Sequence, residues 1–342
     1  MKVARKETQF RARCQPKIRF EKHALTSFAG LAILQKFLGI IRLKRALRSC
    51  FSHMAYNPSF GRSTIFLALV VHVLLGWKRL RDINYYRHDP MVARVLGIQR
   101  LPDVSTISRF LKAVDGKAVR KVSDMITGMV ASTVAQESFR TLTLDYDGSV
   151  LSTKARGIEG TAIGYNKKSK GSRSYYPLFC TVSQTGQVLK ARQRAGNVHD
   201  SNGALPFVKE TVSVIRKASP RSRVEIRRDS AHFNDNTISW LEDNGVEFTV
   251  SVPFARFAEL KIFIEERSRW KRIDKEWSFF EKTWKPKSWK RPGRFLFFRR
   301  RLKKARRGPI QLDFFHPAEF EFEYKVVVTN KSNTAPSILA FH

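Results

Sequence analysis

The stretch Thr141–Leu151, TLTLDYDGSVL, is the tightest constraint on what this chain folds into. Its first half alternates apolar and polar residues with the two-residue period of a strand that buries one face. Leu142, Leu144 and Tyr146 fall on one side; Thr143, Asp145, Asp147 and Ser149 fall on the other, and Gly148 breaks the run. Aspartate is a poor strand former and is rarely buried without a partner, so two on one face need a reason. Two readings compete: a strand end whose Asp residues sit in a solvated turn, or carboxylates that hold a divalent metal for phosphodiester chemistry. The neighbours of this strand decide between them.

Charge narrows the choice. Across 342 residues the formal net charge is +35, which makes a polyanion the expected partner, nucleic acid ahead of an anionic membrane surface. The excess is uneven: residues 1–50 hold 13 Lys/Arg against 2 Asp/Glu, and residues 256–307 hold 20 against 6. Together these segments carry 25 of the 35 charges, so the charge forms two patches and not a uniform coat. Cys14, Cys50 and Cys180 are widely spaced and in no C-x-x-C pattern, which argues for a reducing compartment and against a zinc ribbon or a disulfide frame. The longest apolar run, Ile65–Gly76, is interrupted by His72 and too short to span a bilayer. No apolar signal-peptide core follows the basic N-terminus, so a cytoplasmic chain with no membrane partner is expected.

In chain order, residues 1–25 read as a basic arm. Residues 26–137 read as a helical, DNA-binding region. Phe28, Leu31, Leu34, Phe37, Leu38 and Ile41 recur at helical steps, and a second helix is expected over Ser63–Gly76. Lys78–Arg87 and Pro90–Leu96 continue the pattern, with Pro90 in a first turn. In LPDVSTISRFLKAVDG, Asp103 or Ser105 can cap a helix whose stripe is Val104, Ile107, Phe110, Leu111 and Val114. Its other side presents Thr106, Ser108, Arg109 and Lys112, a face suited either to a major-groove reader or to packing on the next domain. A further helix is expected over Lys117–Gln136.

Residues 138–342 turn to strands. After the central strand come Tyr175–Ser183 and Gln187–Arg194, a helix from Ser201 to Lys217, and the strand Arg223–Asp229 (RVEIRRD), which ends on an acid. A helix over Thr237–Asn244 and a strand over Val246–Val252 follow. Three strands, a helix, a strand, a helix and a strand resemble a ribonuclease-H-like mixed α/β sheet. A basic, aromatic, β-rich insertion over about 253–322 interrupts it before Tyr324–Asn330 (YKVVVTN) returns to the core and Pro336 opens a last helix. Within the insertion, Lys282–Arg307 mixes thirteen basic residues with Trp284, Trp289, Phe295, Phe297 and Phe298. The aromatics suit a core of their own. The cations, among them Arg299, Arg300, Arg301, Lys303 and Lys304, suit phosphates, as does Arg109 in the helical region.

Cutting or joining a phosphodiester needs an activated oxygen nucleophile, a stabilised leaving oxygen and an in-line approach, and two metal ions about 3.5–4 Å apart supply all three. Mg²⁺ takes few protein ligands, so carboxylates converging from neighbouring strand ends suffice. Asp147 and Asp229 meet that need if their strands are neighbours. Beside these residues stand Leu101-Pro102, Ser105–Arg109, Leu144–Ser149, Gly164-Tyr165-Asn166, Tyr176-Pro177-Leu178, Arg194–Asn197, Arg228-Asp229-Ser230 and Val328-Thr329-Asn330. In this order and spacing the chain resembles, from about Thr26 onward, a bacterial insertion-sequence transposase of the group-1 DDE type.

That resemblance implies a polynucleotidyl transferase that cuts duplex DNA at an element's inverted repeats. The freed 3′-hydroxyl then attacks target DNA. It places the first catalytic Asp on Asp147, with Asp145 as alternative ligand, and the second on Asp229, with Mg²⁺ or Mn²⁺ as cofactor. It also implies a nucleoid-associated protein, with a homo-oligomer on DNA as one state to look for. The family's third acid is a Glu on a helix beyond a strand like Val326–Val328; Glu319, Glu321 and Glu323 precede that strand and do not fit. The expectation is a copy truncated before the third acid with a weakened site, and the alternative is an inactive remnant that only binds DNA. A structure-specific nuclease is the more distant reading.

Overall fold

The computed structural model describes residues 25–55, 59–155, 157–164, 166, 169–199, 202–230, 233–302 and 322–342. The basic arm before residue 25 lies outside them. The chain divides into two compact units, Met1–Val122 and Ser123–His342.

The first unit is helical: α1 (Leu31–Ile40), α2 (Leu43–Cys50), α3 (Arg62–Leu74), a 3-10 turn (Leu80–Tyr85), α4 (Pro90–Leu96), α5 (Val104–Ala113) and the start of α6 (Gly116–Glu137). The single helix suggested by the periodicity after Thr26 starts at Leu31. It stops at Ile40, where Arg42 takes a left-handed conformation with φ 51°. α4 begins as its sequence dictates: Asp89 accepts the Met91 and Val92 amides at 2.9 and 3.1 Å, Pro90 fills the first turn, and Gly97 (φ 68°) ends it. In α5, Asp103 occupies the cap position but makes no cap bond; its carboxylate instead accepts from Arg87 at 3.0 Å. Ile107 and Phe110 are buried as expected, whereas Leu111 is 45% exposed, so the apolar stripe is narrower than its sequence suggested.

The second unit is built on one mixed sheet. Its strands are β1 (Thr141–Gly148), β5 (Leu178–Val182), β6 (Gln187–Arg192), β7 (Arg223–Arg228), β8 (Glu247–Ser251), β9 (Lys271–Arg272), β10 (Trp277–Trp284), β11 (Gly293–Arg301) and β12 (Phe322–Thr329). The remaining strands, β2 (Leu151–Thr153), β3 (Ala162–Ile163) and β4 (Arg173–Tyr175), form a separate three-stranded sheet after β1. The helices are α7 (Ala204–Ala218), α8 (Asp235–Asp243), α9 (Ala258–Glu265) and α10 (Ala335–Phe341). The order across the large sheet is β6-β5-β1-β7-β8-β12-β11-β10-β9. Its first five members carry the ribonuclease-H-like order: β1 lies between antiparallel β5 and parallel β7, and β8 runs parallel beyond β7.

Two departures from the sequence reading have clear causes. The expected strand Tyr175–Ser183 splits at Pro177, which has no N–H to give to a ladder; its first part joins the small sheet and its second becomes β5. The β-rich insertion interrupts the sheet in sequence but lengthens it in space, because β12 pairs with β8 and then carries β11, β10 and β9 outward. β11 can read GRFLFFRRR because both faces are covered. Phe295 and Phe297 join the main core with Trp284 and Trp289, while Leu296 and Phe298 pack under α10 with Val327 and Ile338.

The main core lies on the Leu142, Leu144 and Tyr146 side of β1, under α7. Phe207, Val208, Val212 and Ile215 of α7 are fully or almost fully buried, a contribution of roughly 1.5–3 kcal/mol each relative to exposure. Arg228, on the same face of β7, is 2% exposed and lies 4.8 Å from the Tyr146 ring centroid. Cys180 is buried here, and burial pushes its thiol up to about 12; burial raises the Cys50 thiol as well. Thiolate is the reactive form. In a Cys14→Ser chain, iodoacetamide at pH 8 should therefore leave the native protein unlabelled by mass spectrometry, while the urea-unfolded chain takes two labels. Rapid native labelling would show the core is open. Among the described residues no helix is long and apolar enough to cross a membrane.

Candidate metal and nucleic-acid site

The pairing of β1 with β7 runs from Thr141 opposite Arg223 to Tyr146 opposite Arg228. One residue further along each strand stand Asp147 and Asp229, both exposed, at the carboxyl-terminal rim of the sheet. Adjacent strands lie about 4.8 Å apart, and Asp147 and Asp229 each follow the last paired residue at the same end of two such strands. Rims of this kind are where open α/β sheets present ligand-binding groups. Asp229 ends the apolar-to-acid strand because β7 stops at Arg228; Asp147 is followed by Gly148, which ends β1.

Asp145 points to the same side as Asp147 but is engaged within the sheet. Arg227, its partner in the β1–β7 register, donates Nε to Oδ1 at 2.8 Å and Nη2 to Oδ2 at 2.7 Å, a two-pronged pair. The Asp145 carboxylate raises the Arg227 guanidinium above its ordinary value. Arg227 Nη1 also donates to the Phe341 carbonyl at 2.6 Å, and the guanidinium lies 5.4 Å from that residue's ring centroid. Both Asp145 oxygens are thus committed one layer below the rim, whereas Asp147 and Asp229 stand at it.

Deeper on this face, Lys331 forms a buried ion pair with Glu225, whose other oxygen accepts the Thr143 hydroxyl at 2.5 Å. This pair and Arg227 were missed from the sequence. The signal was available: Asp145 and Arg227 each lie two residues before a rim Asp, so parallel pairing in register must bring them together.

The basic residues distribute unequally. Arg109 is exposed on α5 of the first unit and bends along its own helix, with Nη2 3.3 Å from the Thr106 hydroxyl. β11 runs in the same direction as β1, since each of its two pairings back to β8 is antiparallel. Following the register from Tyr146 through Arg228, Val250 and Val328 reaches Phe295, so Arg299, Arg300 and Arg301 lie beyond the level of the acidic rim. At about 3.3 Å per residue the end of β11 reaches some 10–20 Å past it. Arg299 is wedged between Trp270 (4.6 Å) and Phe322 (4.4 Å) and donates to the Ser278 hydroxyl; Arg300 pairs with Glu276 at 3.1 Å. Lys303 and Lys304 lie outside the described residues.

The donors at the rim are carboxylate oxygens, which suit a hard cation that keeps waters for a substrate. Among the described residues no group of three or more His, Cys, Asp or Glu side chains comes together to hold a metal, so the rim contributes a pair of acids.

The order β6-β5-β1-β7-β8, with β5 antiparallel to β1, β7 parallel to it and β8 parallel to β7, defines the class of ribonuclease-H-like sheets, here with an aspartate at the end of β1 and another just after β7. Within that class the chain belongs to the family described as Transposase DDE domain group 1, whose model matches residues 9–317. No curated protein matches it. Among solved structures it is similar to the piggyBac transposase synaptic complex with hairpin DNA, at 14% identity and a TM-score of 0.43, over 90% of this chain and 64% of that one. The Drosophila P element transposase strand transfer complex is similar at 11% identity and a TM-score of 0.32, over 69% and 51%. The chain thus spans less than two thirds of either.

Proposed function

We propose that this chain is an insertion-sequence DNA transposase that cleaves a strand at its element's ends and transfers the freed 3′-hydroxyl to target DNA. The observation that carries this reading is the β1–β7 register, which sets Asp147 beside Asp229 at one rim. In this reading Asp147 and Asp229 hold Mg²⁺ or Mn²⁺, which when bound activates the attacking oxygen and stabilises the departing one. Arg227 keeps Asp145 out of the ligand set. The end of β11 bearing Arg299, Arg300 and Arg301, with Lys303 and Lys304 next in sequence, neutralises phosphates of duplex DNA at a distance from the acids, and Arg109 of α5 contacts DNA from the helical unit. A bacterial, nucleoid-associated protein acting as a homo-oligomer on DNA accords with this reading and with the +35 charge.

A second reading, a DNA-binding remnant without catalysis, is favoured by the rim having two acids among the described residues. Incubating the 342-residue chain with supercoiled plasmid carrying the element's flanking DNA, in Mg²⁺ or Mn²⁺, separates them. Metal-dependent nicking confined to the element ends supports the transposase. Duplex binding that weakens steeply with salt, with no nicking in either metal, supports the remnant. Nicking without preference for the ends points to a structure-specific nuclease.

A further inference from the structure

Three stretches that follow β1 in sequence converge beside its last residues. Gly164 abuts Gly196 so closely that a Cβ on Gly164 would sit 1.8 Å from the Gly196 carbonyl oxygen. The Gly196 amide donates to Ser174 O at 2.9 Å, and Tyr176 N–H donates to Arg194 O at 2.8 Å. Tyr176 in turn lies against Gly148, where a Cβ would come within 2.4 Å of the tyrosine oxygen. The residue after Asp147 is therefore glycine for space. Ser149 N–H donates to Pro177 O at 3.1 Å, tying the next residue to the same segment.

Arg194 organises this contact. It is 8% exposed, and its Nε donates to Tyr176 O at 3.1 Å, while Nη1 lies within reach of His199 O (3.4 Å) and Asn202 O (3.2 Å). Its guanidinium stacks 5.0 Å from the Tyr176 ring centroid. One planar cation thus fastens the segment entering β5 to the His199 and Asn202 carbonyls, with the ring clamped between that cation and the end of β1.

We propose that Arg194 is a positioning residue for Asp147, acting through Tyr176 on the Gly148–Ser149 backbone; this rests on the reading of Asp147 as a metal ligand. A carboxylate on the last turn of an unsupported strand end would sample many positions, and a brace on the two residues after it limits them. Lysine cannot replace the arginine, because a point charge on a flexible stem neither stacks on the ring nor donates to several carbonyls in one plane.

The test is amide hydrogen exchange on the full chain, paired with Mn²⁺ titration followed by electron paramagnetic resonance. In Arg194→Lys, exchange at the Ser149 amide should rise about tenfold or more as a local opening, with Leu142 and Leu144 unchanged. Mn²⁺ affinity should fall about 10–100-fold, the usual cost of losing a group that orients a ligand. Gly148→Ala pushes on the ring from the other end and should give the same local signature, so it decides the matter if Arg194→Lys does not fold. Unchanged Ser149 exchange overturns the proposal, as does a rise spread evenly over β1, β5 and β7, or local loosening with unaltered Mn²⁺ affinity. If the parent chain takes up no Mn²⁺, the metal reading of Asp147 falls, and Ser149 exchange still decides whether Arg194 braces that strand end.

Discussion

Replacing Lys331 with Met is expected to lower the unfolding free energy by about 3–5 kcal/mol, the usual cost of stranding one member of a buried ion pair. Lys331 and Glu225 side chains are 6% and 9% exposed. The carboxylate sits on β7 between β1, through Thr143, and the segment after β12, through Lys331. Lys331 Nζ also lies 3.9 Å from the Phe341 ring centroid, so the ammonium is enclosed from the α10 side too. Without the ammonium, Glu225 keeps, among the described residues, the Thr143 hydroxyl as its side-chain donor for a full charge. The double variant Glu225→Met/Lys331→Met should regain most of the loss, because two apolar chains of similar volume carry no desolvation penalty. Urea denaturation of the parent, the single and the double variants measures this through the midpoint at constant slope. A single variant within 1 kcal/mol of the parent would mean that water reaches the pair.

The second large effect is expected at the rim. Asp147→Asn and Asp229→Asn should each weaken Mn²⁺ binding by about two orders of magnitude or more, since each removes an anionic oxygen ligand from a site with few protein ligands. Folding should be nearly unaffected, because both side chains are exposed. Asp145→Asn should do the opposite. It leaves Mn²⁺ binding within a few-fold of the parent and costs about 1 kcal/mol of stability, the loss of a half-exposed charge pair. The contrast comes from Arg227, which occupies both Asp145 oxygens. If Asp145→Asn abolishes binding while Asp147→Asn spares it, the ligand assignment is wrong, and Arg227 must be released when metal enters.

Much of this could be read from the chain before any coordinates. The alternation in TLTLDYDG set which residues of β1 face the core, and Leu142, Leu144 and Tyr146 are buried there. The aromatics of the insertion were legible as core residues, and Trp284, Trp289, Phe295, Phe297 and Phe298 are buried. The expected separate core is not what forms, because β12 pairs with β8 and Trp284, Trp289, Phe295 and Phe297 join the main core. Such features are local: a two-residue period, a hydrophobic run and a proline carry their consequences within a few residues. The same locality explains the errors. Leu111 satisfies a helical stripe yet lies outside the packed width of α5, because periodicity does not say how much of a helix a neighbour covers.

What could not be read is whatever depends on which strands lie together. The 82-residue separation of Asp147 and Asp229 says nothing about distance; the parallel β1–β7 register brings them to one rim. That same register commits Asp145 to Arg227, and the placement of β12 beside β8 brings Lys331 onto Glu225 and carries β11 outward with its arginines. The alternation of side chains follows from the covalent geometry of each strand and is written in the chain. Strand order and register arise from a competition among pairings distant in sequence, settled by burial and charge across the whole sheet, and only the assembled fold reveals which one won.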